Sequence, residues 1–503
     1  MTLGRRDLFL AGGAMALTAG ASALVRAQTM DMNHAPAAAG AAQPPSLAGA
    51  ADHTIRIGTG LVELGPDAIV STKTYNGQFP GPLLRLTEGK RVVVDIYNDT
   101  DTDTPEQLHW HGQFLPVDVD GAAEEGTPFI PPHGMRRIAF TPGPAGFRFY
   151  HTHTRAGRDL SLGLYSGQVG PVYIEPRHER GAYDREVFLV LKEFGPYFSR
   201  TEMALDFLDP KAIVPALHAA SQTAQLAAIK QGLPQAYNVA YDFFSINGRM
   251  LGQGEPIRVK AGERVLFHVL NASASEIRSL ALPGHVFRVV ALDGNPVPKP
   301  AEVPVLWLGT AERISAIVEM KRPGVWVMGD TIDDDRRLGM GIIVEYAGQK
   351  GKPVWRKPLP FRWDYRRFAR PDTHMPPPDE MIVMTIAARN AADHGFDVFT
   401  INGVSFDMDK MTAQFRLARG RRYRLQFRNA TDDIHPAHLH RHTFELTSIA
   451  GQPTAGVMKD VAMLGAFQEM TVDFTADQPG LSLFHCHMQP HMDYGFMALF
   501  DCA

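Results

Sequence analysis

From Thr54 onward the chain is a succession of short segments rich in Val, Ile and Phe, in which apolar and polar residues alternate. Gly, Pro, Asn and Asp turns separate them. Alternation at period two puts one face of a strand in a core and the other in water, and many such strands with regular turns predict packed β-sheets. Three stretches are versions of one strand: RVVVDIYND (91–99), ERVLFHVLNAS (263–273) and RRYRLQFRNAT (421–431). Each follows a Gly, in TEGK, KAGE and ARGR, and each is preceded by an Asn-Gly turn, in YNGQFPG, SINGRM and TINGVSF. That recurring order predicts three copies of one domain, roughly 160 residues apart.

Boundaries are expected where Pro and charge cluster and the alternation lapses, giving domains at 53–176, 184–348 and 378–503. A Pro- and Arg-rich linker, 349–377, joins the second to the third. Residues 201–232 break the β pattern with an Ala-, Leu- and Gln-rich run, which predicts a short helical insert in the second domain. The first 27 residues have a basic start, a short apolar stretch and a small-residue cleavage site, and Arg5-Arg6 before Asp7, Leu8 and Phe9 reads as a twin-arginine export signal. Residues 28–52 are expected to form a flexible leader, whose Met30, Met32 and His34 are possible copper donors.

Composition narrows the function. A net charge of −4 gives no reason to expect nucleic acid, and no segment is long and apolar enough to remain as a membrane span. Two cysteines, Cys486 and Cys502, are too few for a disulfide framework.

Histidine carries the chemistry. Four separated His-x-His pairs occur, His109/His111, His151/His153, His438/His440 and His485/His487, where twenty scattered histidines give about one by chance. In a strand, residues i and i+2 share a face, so each pair presents two imidazoles to one neighbourhood, and eight suit several copper ions better than one zinc. Cys486 points away from its flanking histidines, toward a second site. A thiolate with two imidazoles is the donor set of a blue-copper centre, with His435 and His491 the candidates to complete it.

HWHG, YHTH, HPAHLH and HCHMQPH resemble, in order and spacing, the four copper signatures of multicopper oxidases, over the whole chain after the leader. The resemblance implies an all-β protein of three cupredoxin-like Greek-key β-sandwich domains and four copper ions. It implies type 1 ligands His435, Cys486 and His491, and type 2 ligands His109 and His438. It also implies His111, His151, His153, His440, His485 and His487 for the two type 3 ions. Electrons from a reductant would enter at the type 1 copper and pass along Cys486 to the cluster, where dioxygen becomes water. His442 has no ligand role in the pattern and is expected to pack or hydrogen bond.

Asp120 matches an acidic residue that members hold near the type 2 copper; it reads equally as a turn aspartate before Gly121. Many bacterial members have a proton-relaying glutamate after the last type 1 histidine. Here Met492 stands there, so the relay is missing or moved, with Asp493 the substitute. The family's axial position falls on Phe496, flanked by Met497; the resemblance thus implies a copper with no axial ligand and a higher potential, with Met497 as the ligand if the register slips by one residue. Cuprous oxidases of the family have methionines just before the first type 1 histidine, where this chain has Thr431, Asp432, Asp433 and Ile434, and the insert has only Met203, which argues against a specialised cuprous oxidase. Asp432 and Asp433 are placed to accept the proton lost by a phenol or aromatic amine, with solvated turn acids the alternative. The expected protein is therefore a laccase-like oxidase taking a small aromatic reductant and dioxygen, monomeric, and exported folded to the periplasm or beyond. A cuprous oxidase or ferroxidase is the alternative; a nitrite reductase or a non-catalytic scaffold fits the retained ligands less well.

Overall fold

The computed structural model describes residues 47, 49–177, 182–200, 212–233, 235–370, 372 and 376–503. The expected signal, the leader methionines with His34, and Met203 lie outside them. Three sandwiches follow one another. In the first, the sheet Ala68–Tyr75, His53–Gly65, Val92–Asn98, Met135–Phe140 is accompanied by the sheet Leu84–Thr87, Val169–Glu175, Gly146–His151, His109–His111. The second and third each have a six-stranded sheet with the same strand order. They run Asn238–Ile246, Arg185–Ser199, Arg264–Asn271, Arg313–Glu319, Phe287–Leu292, Asn295–Val303, and Phe396–Ile401, Glu380–Asp393, Arg422–Asn429, Glu469–Thr475, Phe444–Ile449, Gln452–Lys459.

The repeated motif has a repeated physical role. In every copy the strand bearing the motif runs parallel to the first strand of its sandwich, at Ile55↔Ile96, Val187↔Phe267 and Ile382↔Leu425. Parallel neighbours cannot be joined by a hairpin, so the chain must cross between sheets, as a Greek key does. The three Asn-Gly pairs (Asn76-Gly77, Asn247-Gly248, Asn402-Gly403) all have positive φ at both residues, the conformation of a type I′ turn. Their side chains also clip the parallel strands: Asn247 accepts from the Val190 amide and donates to Phe188 O, and Asn402 does the same with Thr385 and Val383. The closing asparagines Asn98, Asn271 and Asn429 are fully buried, and each accepts from the amide two residues on while donating to nearby carbonyls.

The insert contains a helix, Pro215–Lys230, starting at a proline suited to a first turn. Only Leu217, Ser221 and Ala228 are buried, one narrow stripe. Although it follows the second sandwich's first strand in sequence, it covers the third, where the Val214 amide donates to Phe467 O at 2.8 Å. The linker region is more than a spacer. Its turn Tyr365–Phe368 is packed in the core, and the Tyr365 hydroxyl donates to Glu312 and accepts from the Met463 amide.

Candidate metal centre

All eight paired histidines are buried and meet between the first and third sandwiches. Strand pairing assembles them: His109 lies opposite His151, and His438 opposite His485. The two halves then interleave, His109 stacking on His440 with ring centroids 4.0 Å apart and His111 on His438 at 3.9 Å. Two triads each draw on both sandwiches, His111 with His151 and His487, and His153 with His440 and His485. The ring nitrogens of His109 and His438 come together beside them.

The state of their nitrogens is what suits these groups to hold metal. In each of six rings one nitrogen is engaged by a carbonyl or carboxylate. His109 Nδ1 meets Asp120 O at 2.9 Å, His151 Nδ1 meets Thr152 O at 2.7 Å, His438 Nδ1 meets Asp460 O at 2.7 Å and His485 Nδ1 meets Cys486 O at 2.8 Å. His440 Nδ1 meets Asp120 Oδ2 at 3.0 Å, and His111 Nε2 meets Asp460 Oδ1 at 3.1 Å. The opposite nitrogens then face one another, His111 Nδ1 and His151 Nε2 at 3.4 Å, His440 Nε2 and His485 Nε2 at 3.1 Å, while His109 Nε2 and His438 Nε2 have no hydrogen-bond partner. Burial holds the His111, His151, His438, His440, His485 and His487 imidazoles far below their usual pKa, hence neutral. Neutral rings aiming lone pairs at a common space are a ligand set.

The second site lies on the other side of the same strand. Cys486 Sγ is 3.6 Å from His435 Nδ1 and 3.4 Å from His491 Nδ1, and the two nitrogens are 3.0 Å apart. Thr431 Oγ1, 2.7 Å from His435 Nε2, leaves Nδ1 as the facing nitrogen. Burial pushes the thiol pKa up and lowers that of His491 to about 3, so without metal the donors are neutral, and a metal binding there would displace the thiol proton. Phe496 belongs to the apolar cluster that includes Cys486, its ring 4.8 Å from that of His435, whereas Met497 belongs to a separate cluster with Met492, Phe406, Leu483 and Leu499.

The acids sort differently. Asp120 Oδ2 lies 3.0 Å from both His109 Nδ1 and His440 Nδ1. It also ends a helical turn before Gly121, whose φ is 103°, so it is both a turn residue and a partner of the cluster. Asp493 is buried, its carboxyl pKa pushed up to about 6 by burial, and its oxygens accept from the Ala156 and Gly157 amides and from Gln489. Asp432 accepts from Gln225 of the covering helix at 2.7 Å, and Asp433 Oδ2 lies 3.8 Å from His491 Nε2. Both line a cavity of about 340 Å³ over His491, walled by Phe396, Phe399, Tyr494 and the helix. His442 bonds to His440 O and packs on Phe474. Three participants escaped the sequence reading: Asp460, which serves His438 through its backbone, and Glu124 and Glu125, which approach His153 and His440 at 3.2 and 3.4 Å. A paired acid in an otherwise apolar, Gly-rich turn just after Asp120 was the available signal for the last two.

Three models described as multicopper oxidase match residues 62–179, 218–345 and 375–502. The multicopper oxidase MmcO of Mycobacterium tuberculosis is 30% identical over 450 residues, covering 88% of this chain and 84% of that protein. The chain belongs to the multicopper oxidases. It is accordingly a copper-dependent oxidoreductase with dioxygen as acceptor. Solved multicopper oxidases share the fold. Fet3p, which functions in iron import, superposes with a TM-score of 0.71 at 17% identity, covering 90% of each chain. The laccase-like CueO of Ochrobactrum sp., with oxidase activity toward lignin model compounds, gives 0.66 at 21%, covering 90% and 96%.

Proposed function

We propose that this multicopper oxidase is laccase-like, oxidising phenols or related small aromatics one electron at a time. His435, Cys486 and His491 would hold the type 1 copper and His109 with His438 the type 2 ion. The triads His111, His151, His487 and His153, His440, His485 would hold one type 3 ion each, four in all. Bound copper would supply one-electron acceptance beside the cavity and four-electron reduction of dioxygen to water at the cluster.

The chain's own contribution follows from its contacts. Cys486 is covalently flanked by His485 and His487, so one short stretch of backbone serves both sites. Asp120, touching two cluster histidines, is the acid we assign to holding a proton there, ahead of Asp493, whose oxygens are taken by amides. Phe496 packs beside His435 at the Cys486 site and offers no donor atom, and Asp433 beside His491 would receive the phenolic proton.

The observation that carries the aromatic reading is the cavity over His491, enclosed by Phe396, Phe399, Tyr494 and alanines with carboxylates at one side. Among the described residues, every group of three or more His, Cys, Asp or Glu donors within metal-binding reach lies at the histidine sites, and of their members only His491 reaches the cavity wall. A metal-ion substrate would be better served by such a group. The first and third sandwiches complete the cluster within one chain, which supports a monomer, and the N-terminal sequence supports twin-arginine export. The test is dioxygen uptake by copper-loaded protein with a phenol, an aromatic amine, Cu(I) and Fe(II), read with the absorption spectrum. Blue absorption with phenol-driven uptake supports the reading; turnover of metal ions alone overturns it.

A further inference from the structure

We propose that Glu124 is a positioning residue of the cluster, its carboxylate holding the His153 ring so that Nε2 faces His440 and His485. The inference rests on the copper reading above. Of the eight paired histidines, His153 and His487 alone lack a hydrogen bond at either nitrogen. The acid facing His153 is Glu124, whose Oε2 is 3.2 Å from Nδ1, with both side chains buried.

The backbone is built to deliver that carboxylate. Gly121 turns the chain back on the strand of His109 so closely that a Cβ there would lie 1.9 Å from Leu108 O, at a φ of 103° that also favours glycine. Gln107 then accepts from the Ala123 amide at 2.9 Å, and Thr127 Oγ1 from the Gly121 amide at 3.1 Å, fixing the turn Ala123–Glu125. Its neighbour Glu125 accepts from the Leu483 amide at 2.5 Å, tying the turn to the strand that carries Cys486. One six-residue segment of the first sandwich thus sends three buried carboxylates, Asp120, Glu124 and Glu125, to histidines His109, His153 and His440.

The third sandwich offers His153 no substitute. Met492 points into an apolar cluster, and Asp493 spends its oxygens on Ala156, Gly157 and Gln489. A metal-bound imidazole whose other nitrogen is held by a carboxylate keeps one tautomer and one orientation, and loss of such a partner costs about 10–100-fold in metal affinity.

Two conservative variants test this by resistance of cluster copper to a graded chelator, with copper per chain, the type 2 electron paramagnetic resonance signal and the blue absorption recorded on each sample. Glu124→Gln keeps an acceptor at the same reach and is expected to hold copper as the wild type does. Glu124→Asp keeps the charge but withdraws it, and is expected to release cluster copper at about 10-fold lower chelator with the blue absorption unchanged. The proposal is overturned if Glu124→Asp retains copper like the wild type, if Glu124→Gln releases it as readily as Glu124→Asp, or if either loses the blue absorption together with the cluster. Wild type that never takes up cluster copper would instead overturn the assignment of the sites, a separate result.

Discussion

The second and third sandwiches contain the same corner filled in two ways. After the closing asparagine, Asn429 leads through Ile434 to His435, and Asn271 through Ile277 to Arg278. Further along, Ala281 bridges Gly329 as His438 pairs with His485, so Asp330 stands where Cys486 does. A five-residue helix begins three positions later in both, Asp333–Arg337 and Gln489–Asp493, and puts Asp335 in the place of His491. The proposed copper triad His435, Cys486, His491 thus has the counterpart Arg278, Asp330, Asp335. There, Arg278 donates to Asp335 at 2.5 Å, and Asp330 accepts from the Ser279 hydroxyl at 2.6 Å and from its amide. Both corners are buried polar centres. One pairs opposite charges, Arg278 with Asp335 and Glu193, and the other sets neutral donors facing one another, which a metal would join.

Removing the centre from each corner should give opposite results. Cys486→Ser is expected to abolish blue absorption and dioxygen uptake with every reductant, while the unfolding midpoint of the copper-free protein barely moves, since a neutral buried thiol is replaced by a smaller neutral group. Arg278→Met should do the reverse, keeping the blue absorption in the folded protein but costing about 3–5 kcal/mol in denaturant unfolding, because Asp335 is left buried without its cation and Glu193 keeps only Lys192. Equal loss of stability in the two variants would sink the contrast.

Burial raises the pKa of an acid in both corners, that of Asp493 in the third sandwich to about 6, and it goes furthest in the second. In the second sandwich burial pushes the Glu276 carboxyl up to about 7 and Asp330 to about 6, against ordinary values of 4.5 and 3.8. A carboxyl whose folded pKa is raised binds its proton more tightly when folded. The stability it contributes is complete below about 4.5 for Glu276 and is lost as pH rises through about 7. Glu276→Gln, which cannot ionise, should therefore gain on the wild type in urea midpoint from pH 5 to 8. Parallel midpoint curves would show that Glu276 has an ordinary acidity.

How much of this was legible follows from what kind of signal each residue leaves. The Asn-Gly turns, the closing asparagines and the His-x-His pairs are local, fixed by turn geometry or strand period, and they stand in the chain as plain repeats. The helix was legible as a break in alternation, but its docking over His491 depends on long-range contacts such as Gln225 with Asp432, 207 residues apart. Asp460 was invisible because its service to His438 is a backbone carbonyl, which any residue possesses, and its side chain meets His111, Arg313 and Arg148 only across long stretches of chain. The Arg278 triad hid for a related reason. Charged residues near a turn read as solvated until the register shows them buried.

The finest contrast lies in one hydroxyl. Two residues after the closing asparagine stand Thr431 and Ser273, and both hold the corner: each amide donates to that asparagine, and each hydroxyl accepts from an amide beyond, Asp433 or Glu276. Only Thr431 also meets an imidazole, His435 Nε2. Ser273→Ala should cost about 1 kcal/mol and leave the spectrum alone. Thr431→Val, nearly the same shape, should cost about 1–3 kcal/mol because it leaves a buried imidazole N–H unpaired, and it should also shift the blue absorption and the type 1 potential by freeing the ring. If the spectrum and potential stay at wild-type values, Thr431 is a corner residue like Ser273, and the orientation of His435 comes from packing against Phe496 and Phe399 instead.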